Sequence, residues 1–330
     1  MEEKESPREE PASENRPTPE SPPKKPATRK KKKPGKLAQI LPVIGVLIGI
    51  LILGFYPATE LIDSWRRAAI VKQLDAQAEE YATQSQDEDT SVKDYYLHQA
   101  RNYNQRLAGE PTELNDEDIL VYASQLNPDK NQTAFGSVLI PALNLSMPLF
   151  HTTEDVALMS GVGHLEGTSL PIGGASTHAV VSAHSGMTGM TAFDELESLK
   201  VEDIFGIKIM GDIYAYQVYD IEVVEPHETD SLQIQPGEDI ATLVTCTPYG
   251  INSHRLLVHG RRVEVDDSYF DMTPDVMQVV TSRRVWPFLL GLLILIILVI
   301  TGYIHRKRQK ALQKKRKERE AAARKAEIEK

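Results

Sequence analysis

A single cysteine, Cys246, occurs in the 330 residues. That scarcity excludes an intramolecular disulfide framework and any metal site built from several thiolates. Basic residues are also scarce through most of the chain. Residues 37–304 hold 14 Lys+Arg against 36 Asp+Glu, a charge of −22 that the overall −10 conceals. Such a surface repels phosphate backbones, which excludes nucleic acid as a partner. The sequence has no repeat of fixed period. It also has no Asp-x-Asp-x-Asp-Gly loop, so neither a metal nor a cofactor is expected.

What the sequence does have is two long uncharged runs. Residues 37–56 read LAQILPVIGVLIGILILGFY and residues 285–303 read VWPFLLGLLILIILVITGY. Each is long enough as a helix to cross about 30 Å of hydrocarbon, and Tyr56, Trp286 and Tyr303 stand at run ends, where amphipathic rings favour the interface. Buried core helices, or a cleaved signal peptide for the first run, are the alternatives; length and flanks favour two spans. The flanking PPKKPATRKKKKPGK and HRKRQKALQKKRKER place both termini in the cytoplasm by the positive-inside rule. Residues 57–284 then form an acidic external region. The expected organisation is a disordered cytoplasmic tail (1–36), a span (37–56), a helical extension (57–133), a β-domain with its stalk (134–284), a span (285–304) and a basic tail (305–330). The tails serve as topology signals or touch anionic lipid.

From 58 to about 108 the apolar spacing is helical. Leu61, Trp65 and Ala68 share one face, and Tyr96, Ala100, Tyr103 and Leu107 share another. QSQDEDTS breaks the pattern, Ser91 is placed to cap the second helix, and Gly109 and Pro111 stop it. From 134 onward the signals become β. FGSVLIPAL, HAVVSAH, IFGIKIM, DIYAYQVYDIEVV, ATLVTCT and RLLVHGRRVEV read as strands between turns, which predicts a mostly-β closed barrel or sandwich.

Cys246 lies near the end of ATLVTCT, before the turn TPYGINS. A lone external cysteine is a buried hydrophobe, a partner for another chain, or a nucleophile. Its strand-end position favours access to solvent or substrate. Nine residues on, Arg255 opens the next strand; if the two strands pair, both residues lie at the same end of the sheet. A guanidinium there would stabilise a thiolate and a tetrahedral oxyanion, although an ordinary strand-end arginine has the same spacing. The candidate proton carrier is His184, at the end of HAVVSAH before SGMTG, with His151, His164, His178, His227, His254 and His259 as competitors. His254 adjoins Arg255, so in a strand the two point to opposite faces.

The segment TLVTCTPYGINSHRLLVHGRR resembles the active-site segment of sortases, with a TLxTC strand and an Arg nine residues past the Cys. GVGHLEGTSLPIGG, THAVVSAHSG and VVEPHETDSLQIQPGED resemble the class C, pilin-polymerising branch in order and spacing, so the resemblance covers about 58–266. It implies a sortase-type β-barrel of about eight strands with an N-terminal helical extension and two flanking transmembrane helices. It also implies a cysteine transpeptidase that cuts an LPxTG-like sorting signal after Thr, with Cys246 as nucleophile, His184 as general acid and base, and Arg255 holding substrate and oxyanion. The implied partners are pilin or surface-protein precursors, and the implied location is the plasma membrane of a Gram-positive-type bacterium. The acceptor would be a Lys amine of another pilin subunit or, in the alternative, the cell-wall peptide.

The class C branch usually carries a lid with an Asp-Pro-aromatic motif, and the corresponding segment here, AGEPTELNDEDILVYASQLNP, lacks it. A degenerate lid within 110–126 would have to use Leu114 or Asp116. His259 stands where the family often has Arg. A non-enzymatic membrane scaffold would leave Cys246, His184 and Arg255 as coincidence. A papain-like hydrolase would need a Cys-Gly-Ser-Cys segment that the chain does not have.

Overall fold

The structure is a computed structural model that describes residues 36–86, 89–130, 134–186, 192–272 and 286–328. The disorder expected for the N-terminal tail, and the part of the expected stalk at 273–284, fall outside the described residues. Eight strands close into one barrel in the order β1-β2-β3-β4-β7-β8-β6-β5. They are β1 (Ala134–Ile140), β2 (Leu145–Phe150), β3 (Val162–His164), β4 (Thr177–Ser182), β5 (Ile204–Ile209), β6 (Asp212–Val224), β7 (Asp239–Thr247) and β8 (His254–Arg262). Two neighbouring pairs, β2–β3 and β4–β7, are parallel, and the other pairs are antiparallel. Each of the six strands expected from the β-branched runs is present, although HAVVSAH stops pairing at Ser182 rather than at His184. The two additional strands, β2 and β3, carry Pro148 or span only three residues, so neither shows a period.

Alternation fixes which side chains fill the barrel. Ala179, Val181 and Ala183 after and along β4, Ala241 and Leu243 on β7, and Leu256 and Val258 on β8 all join the central core with Phe205, Ile207 and Tyr216. The intervening residues of these strands therefore face outward. Gly260 is required inside: a Cβ there would stand 2.6 Å from the Phe205 ring.

Two long helices precede the barrel. The first, α1 (Lys36–Thr83), runs without interruption from the apolar segment into the extension. The face that Leu61, Trp65 and Ala68 share by spacing is not where α1 docks: Trp65 is 62% exposed. The docked residues lie further along, where Ile70 and Leu74 pack on Ala134, Phe150 and Ala157, Ala78 is buried, and Asp75 pairs with Lys208 at 2.7 Å. The second helix, α2 (Val92–Leu107), is capped by Ser91, whose hydroxyl accepts from Asp94 N. Its buried face holds Ala100 and Tyr103, with Tyr96 and Leu107 packed beside them, as the spacing predicts. Gly109 follows in the left-handed region at φ +71°. A short α3 (Asp155–Leu158) leads into β3. After β8, residues 263–272 return along the barrel, and Phe270 packs with Leu139 and Ala215.

The C-terminal helix α4 (Trp286–Ile328) contains the one stretch among the described residues that is long and apolar enough to cross a membrane. In α1 the described apolar stretch is shorter, Ile44–Phe55.

Candidate active site

Strand register assembles three of the chemically active side chains into a row. In the β7–β8 ladder Cys246 is directly opposite Arg255, and Thr247 is opposite His254. The parallel β4–β7 ladder ends with Ser182 opposite Val244. Beyond it, Ala183 N donates to Val244 O and the Ser185 hydroxyl donates to Cys246 O, so the chain continues alongside β7 and brings His184 level with Cys246. His184, Cys246 and Arg255 thus lie side by side on the outer face across β4, β7 and β8. His254 faces the other way, as its position next to Arg255 requires.

All three are half-buried. The Nε2 atom of His184 is buried and has no hydrogen-bond partner among the described residues. Arg255 is steadied at one nitrogen, its Nη1 donating to His254 O at 3.0 Å and to Asn252 O at 3.4 Å. A guanidinium has five N–H donors, so this anchorage leaves most of the fork for an incoming oxygen. The rim beyond Cys246 is apolar: Tyr249 and Ile251, in the β7–β8 turn, are 50% and 72% exposed.

The turn and the loop after His184 are fitted together closely. Gly186 has φ +73°, and a Cβ on it would stand 2.8 Å from Gly250 N. Only glycine combines that backbone with that approach. Gly186 N donates to Asp194 Oδ1 at 2.7 Å, and Phe193 N donates to His184 O, closing the loop at its base. Ser185 and Gly186 were not singled out from the sequence; the signal for them was the small-residue pair directly after His184.

The competing histidines are occupied elsewhere. His151 Nε2 faces Gln125 O at 2.6 Å. His164 is fully buried between Tyr122 and Ser169 O, and burial pushes its pKa down to about 4. His227 is exposed beside Glu225, and His254 contacts Ser253. His178 and His259 meet through Thr242, further along the outer face.

The segment in the lid position is held from beneath by α2. Asn102 Oδ1 accepts from both Glu113 N and Leu114 N, and Gln99 Oε1 accepts from Leu120 N. Leu114 packs partly buried against the core, whereas Asp116 is exposed. Asn102 and Gln99, both buried, carried no sequence signal because polar residues at helical spacing read as a solvated face. No cluster of His, Cys, Asp and Glu suited to a metal ion occurs among the described residues.

A strand-end cysteine with an arginine opposite it on one neighbouring strand and a histidine two residues past the end of the other, on an eight-stranded barrel, could support acyl transfer through a thioester. Residues 138–263, which include all three, match the family described as the sortase domain. Sortase C1 from Streptococcus agalactiae is 38% identical over 60% of this chain and 100% of its own, with a TM-score of 0.52. Streptococcus pneumoniae sortase C is 38% identical over 60% of this chain and 97% of its own, with a TM-score of 0.51. A curated relative, sortase A of S. agalactiae serotype III, is 28% identical over 133 residues; the match spans 39% of this chain and 53% of that protein, about half its length. The chain belongs to the sortase family of cysteine transpeptidases, and its solved relatives include class C sortases.

Proposed function

We propose that this chain is a membrane-held transpeptidase that cleaves an LPxTG-like sorting signal after its Thr and joins the acyl fragment to a Lys amine of a pilin subunit. The observation that carries the reading is the row His184–Cys246–Arg255, in which Arg255 is set by the β7–β8 register and His184 by the bonds that carry the chain beyond β4 alongside β7. In the first half-reaction Cys246 Sγ attacks the Thr carbonyl carbon, and the carbonyl oxygen takes up the negative charge. Arg255, directly across the ladder, stabilises that oxyanion. The Thr–Gly C–N bond then breaks, His184 Nε2 protonates the departing amine, and a thioester remains on Cys246. In the second half the Lys Nε attacks the thioester carbonyl, His184 takes the proton, and the Cys246 thiolate leaves as the isopeptide bond forms. No ATP is required, because the thioester retains the acyl activation of the peptide bond it replaced.

Both termini lie in the cytoplasm in this reading, with α1 and α4 crossing the membrane and the barrel outside. Support comes from the apolar runs at 37–56 and 285–303 and from contact between the two helices. A Cβ on Gly49 would lie 3.2 Å from Leu295, and one on Gly291 would lie 3.4 Å from Leu53. That order is antiparallel, as two spans returning to one side demand, and small residues allow such close approach. Anchoring holds the enzyme beside membrane-held precursors and raises their effective concentration.

The acceptor is tested by competition. The full chain in detergent is given an LPxTG-type peptide together with a Lys-bearing pilin peptide and a cell-wall peptide amine. Predominance of the Lys isopeptide product in the mass spectrum supports pilin joining. Predominance of the cell-wall product assigns the enzyme to surface-protein attachment instead.

A further inference from the structure

A second polar line crosses the outer face of the barrel, two side-chain positions along β7 from Cys246, a displacement of about 13 Å. Its first member is His178 on β4, whose Nδ1 lies 3.0 Å from Gln233 O. His178 Nε2 lies 2.7 Å from the Thr242 hydroxyl on β7, and that hydroxyl lies 2.7 Å from His259 Nδ1 on β8. His259 Nε2 lies 3.1 Å from Glu222 Oε1 on β6. Glu222 in turn accepts a hydrogen bond from Ser231. The line therefore begins and ends on the same segment, the β6–β7 connection at 225–238. His178 and Thr242 are fully buried and His259 nearly so, so water does not complete their valences.

Counting protons fixes the direction of every bond. Gln233 O can only accept, so His178 Nδ1 carries hydrogen. Burial holds the His178 pKa below its ordinary value and so disfavours the charged ring; in the neutral ring Nε2 is a lone pair. Thr242 must then donate to His178, and its oxygen is left to accept from His259 Nδ1–H. A neutral His259 would turn a second lone pair on Nε2 toward Glu222. The Ser231 hydroxyl, and after it His259, hold the Glu222 carboxyl below its usual range, so that carboxylate is ionised. The line is satisfied only when it holds one proton more than its neutral groups supply, and burial disfavours that charge on His178. Removing that proton leaves one mismatched bond, which any re-arrangement of tautomers can only move along the line. Its tolerant positions are the two ends, and each end holds the β6–β7 connection.

We propose that His178, Thr242, His259 and Glu222 form a one-proton clasp that positions the β6–β7 connection on the barrel and loosens it when the line loses its extra proton. The connection walls a cavity of about 510 Å³, where Leu232, Gln233 and Ile234 face Leu107, Glu110 and Glu166. The clasp residues are positioning residues: His178 lines the cavity beside Gln233, and none of the four touches a reacting atom. Other charged or titratable groups face His259 as well. Asp220 is opposite it in the β6–β8 ladder, and the Tyr219 ring is 6.1 Å from its own. Arg261 lies over Tyr219 and pairs with Glu238 at 2.8 Å. None of these four substitutes for the His259–Glu222 bond.

The test measures amide exchange of residues 229–236 in the full chain without substrate, corrected for intrinsic rates, at about pH 5.5 and about pH 8. In the wild type, protection falls by on the order of tenfold at the higher pH. In Glu222→Gln the amide donates to neutral His259, the line is complete without the extra proton, and protection stays level. His259→Arg, a fixed cation with donors for both neighbours, is level as well. Wild-type protection that does not change with pH, or that changes equally in both variants, overturns the clasp. A second readout rests on the transpeptidase reading above. The KM for an LPxTG-type peptide, taken relative to Glu222→Gln, rises with pH in the wild type while kcat does not follow. A constant KM ratio with pH-dependent exchange overturns the positioning role. If no variant cleaves the peptide, the failure belongs to the substrate assignment, and the exchange result still decides the clasp.

Discussion

Arg255 faces Cys246 across the β7–β8 ladder, and the shape of its side chain matters as much as its charge. Arg255→Lys keeps the charge but loses the planar fork, so turnover is expected to fall about a hundredfold while unfolding is unchanged. Near-normal acylation by that variant would remove Arg255 from oxyanion stabilisation. His164 makes a different prediction. Burial first, and then His151, hold its folded pKa at about 4 despite the opposing bond to Ser169 O. An unfolded chain therefore binds this proton from about pH 6.5 downward while the folded chain refuses it until about pH 4. Since the unfolded state binds more protons in that window, stability declines as pH falls through it, by up to about 3 kcal/mol. Urea unfolding at several pH values is expected to show this slope, flattened in His164→Gln. The row of Cys246, His184 and Arg255 was legible through the resemblance of its segments; by position alone His184 was one of seven candidate histidines. The clasp was not, because its four members come from four strands and two of them read only as spare histidines.

The segment after α2 depends on that helix for its shape. Asn102→Ala leaves Glu113 N and Leu114 N without their acceptor, which is expected to cost about 2 kcal/mol. Thermal unfolding together with faster amide exchange across 110–120 would register the loss; an unchanged exchange pattern would show that the segment holds its own shape. Helix α2 itself was readable, cap and stop included, because its apolar period is uninterrupted. The docking face of α1 was not: the period showed Leu61, Trp65 and Ala68 on one face, yet the packed residues are Ile70, Leu74 and Ala78, chosen by where the barrel surface lies. Strand β3 was invisible for a related reason. Three residues carry no period, and they pair only because β2 and β4 stand on either side.

Helix α1 carries the chain from its apolar segment to the barrel without a break, and in residues 263–272 Phe270 packs back on the barrel against Leu139 and Ala215. The closed barrel was predictable as one of two all-β solutions, because six strands with turns between them need a closed or layered sheet. The contact between the two apolar helices was not, since pairing across the whole length of a chain leaves no local trace. Gly49→Cys combined with Leu295→Cys, in a Cys246→Ala background, is expected to give an intramolecular crosslink in membranes; crosslinks only between chains would exclude the antiparallel pair. The central claim, that Cys246 carries the acyl group, is tested most directly by intact-protein mass spectrometry of the full chain with an LPxTG-type peptide. The account predicts a mass increase equal to the peptide through its Thr, absent from Cys246→Ala. An adduct that persists in Cys246→Ala would contradict it, and so would peptide cleavage that this variant performs at the wild-type rate.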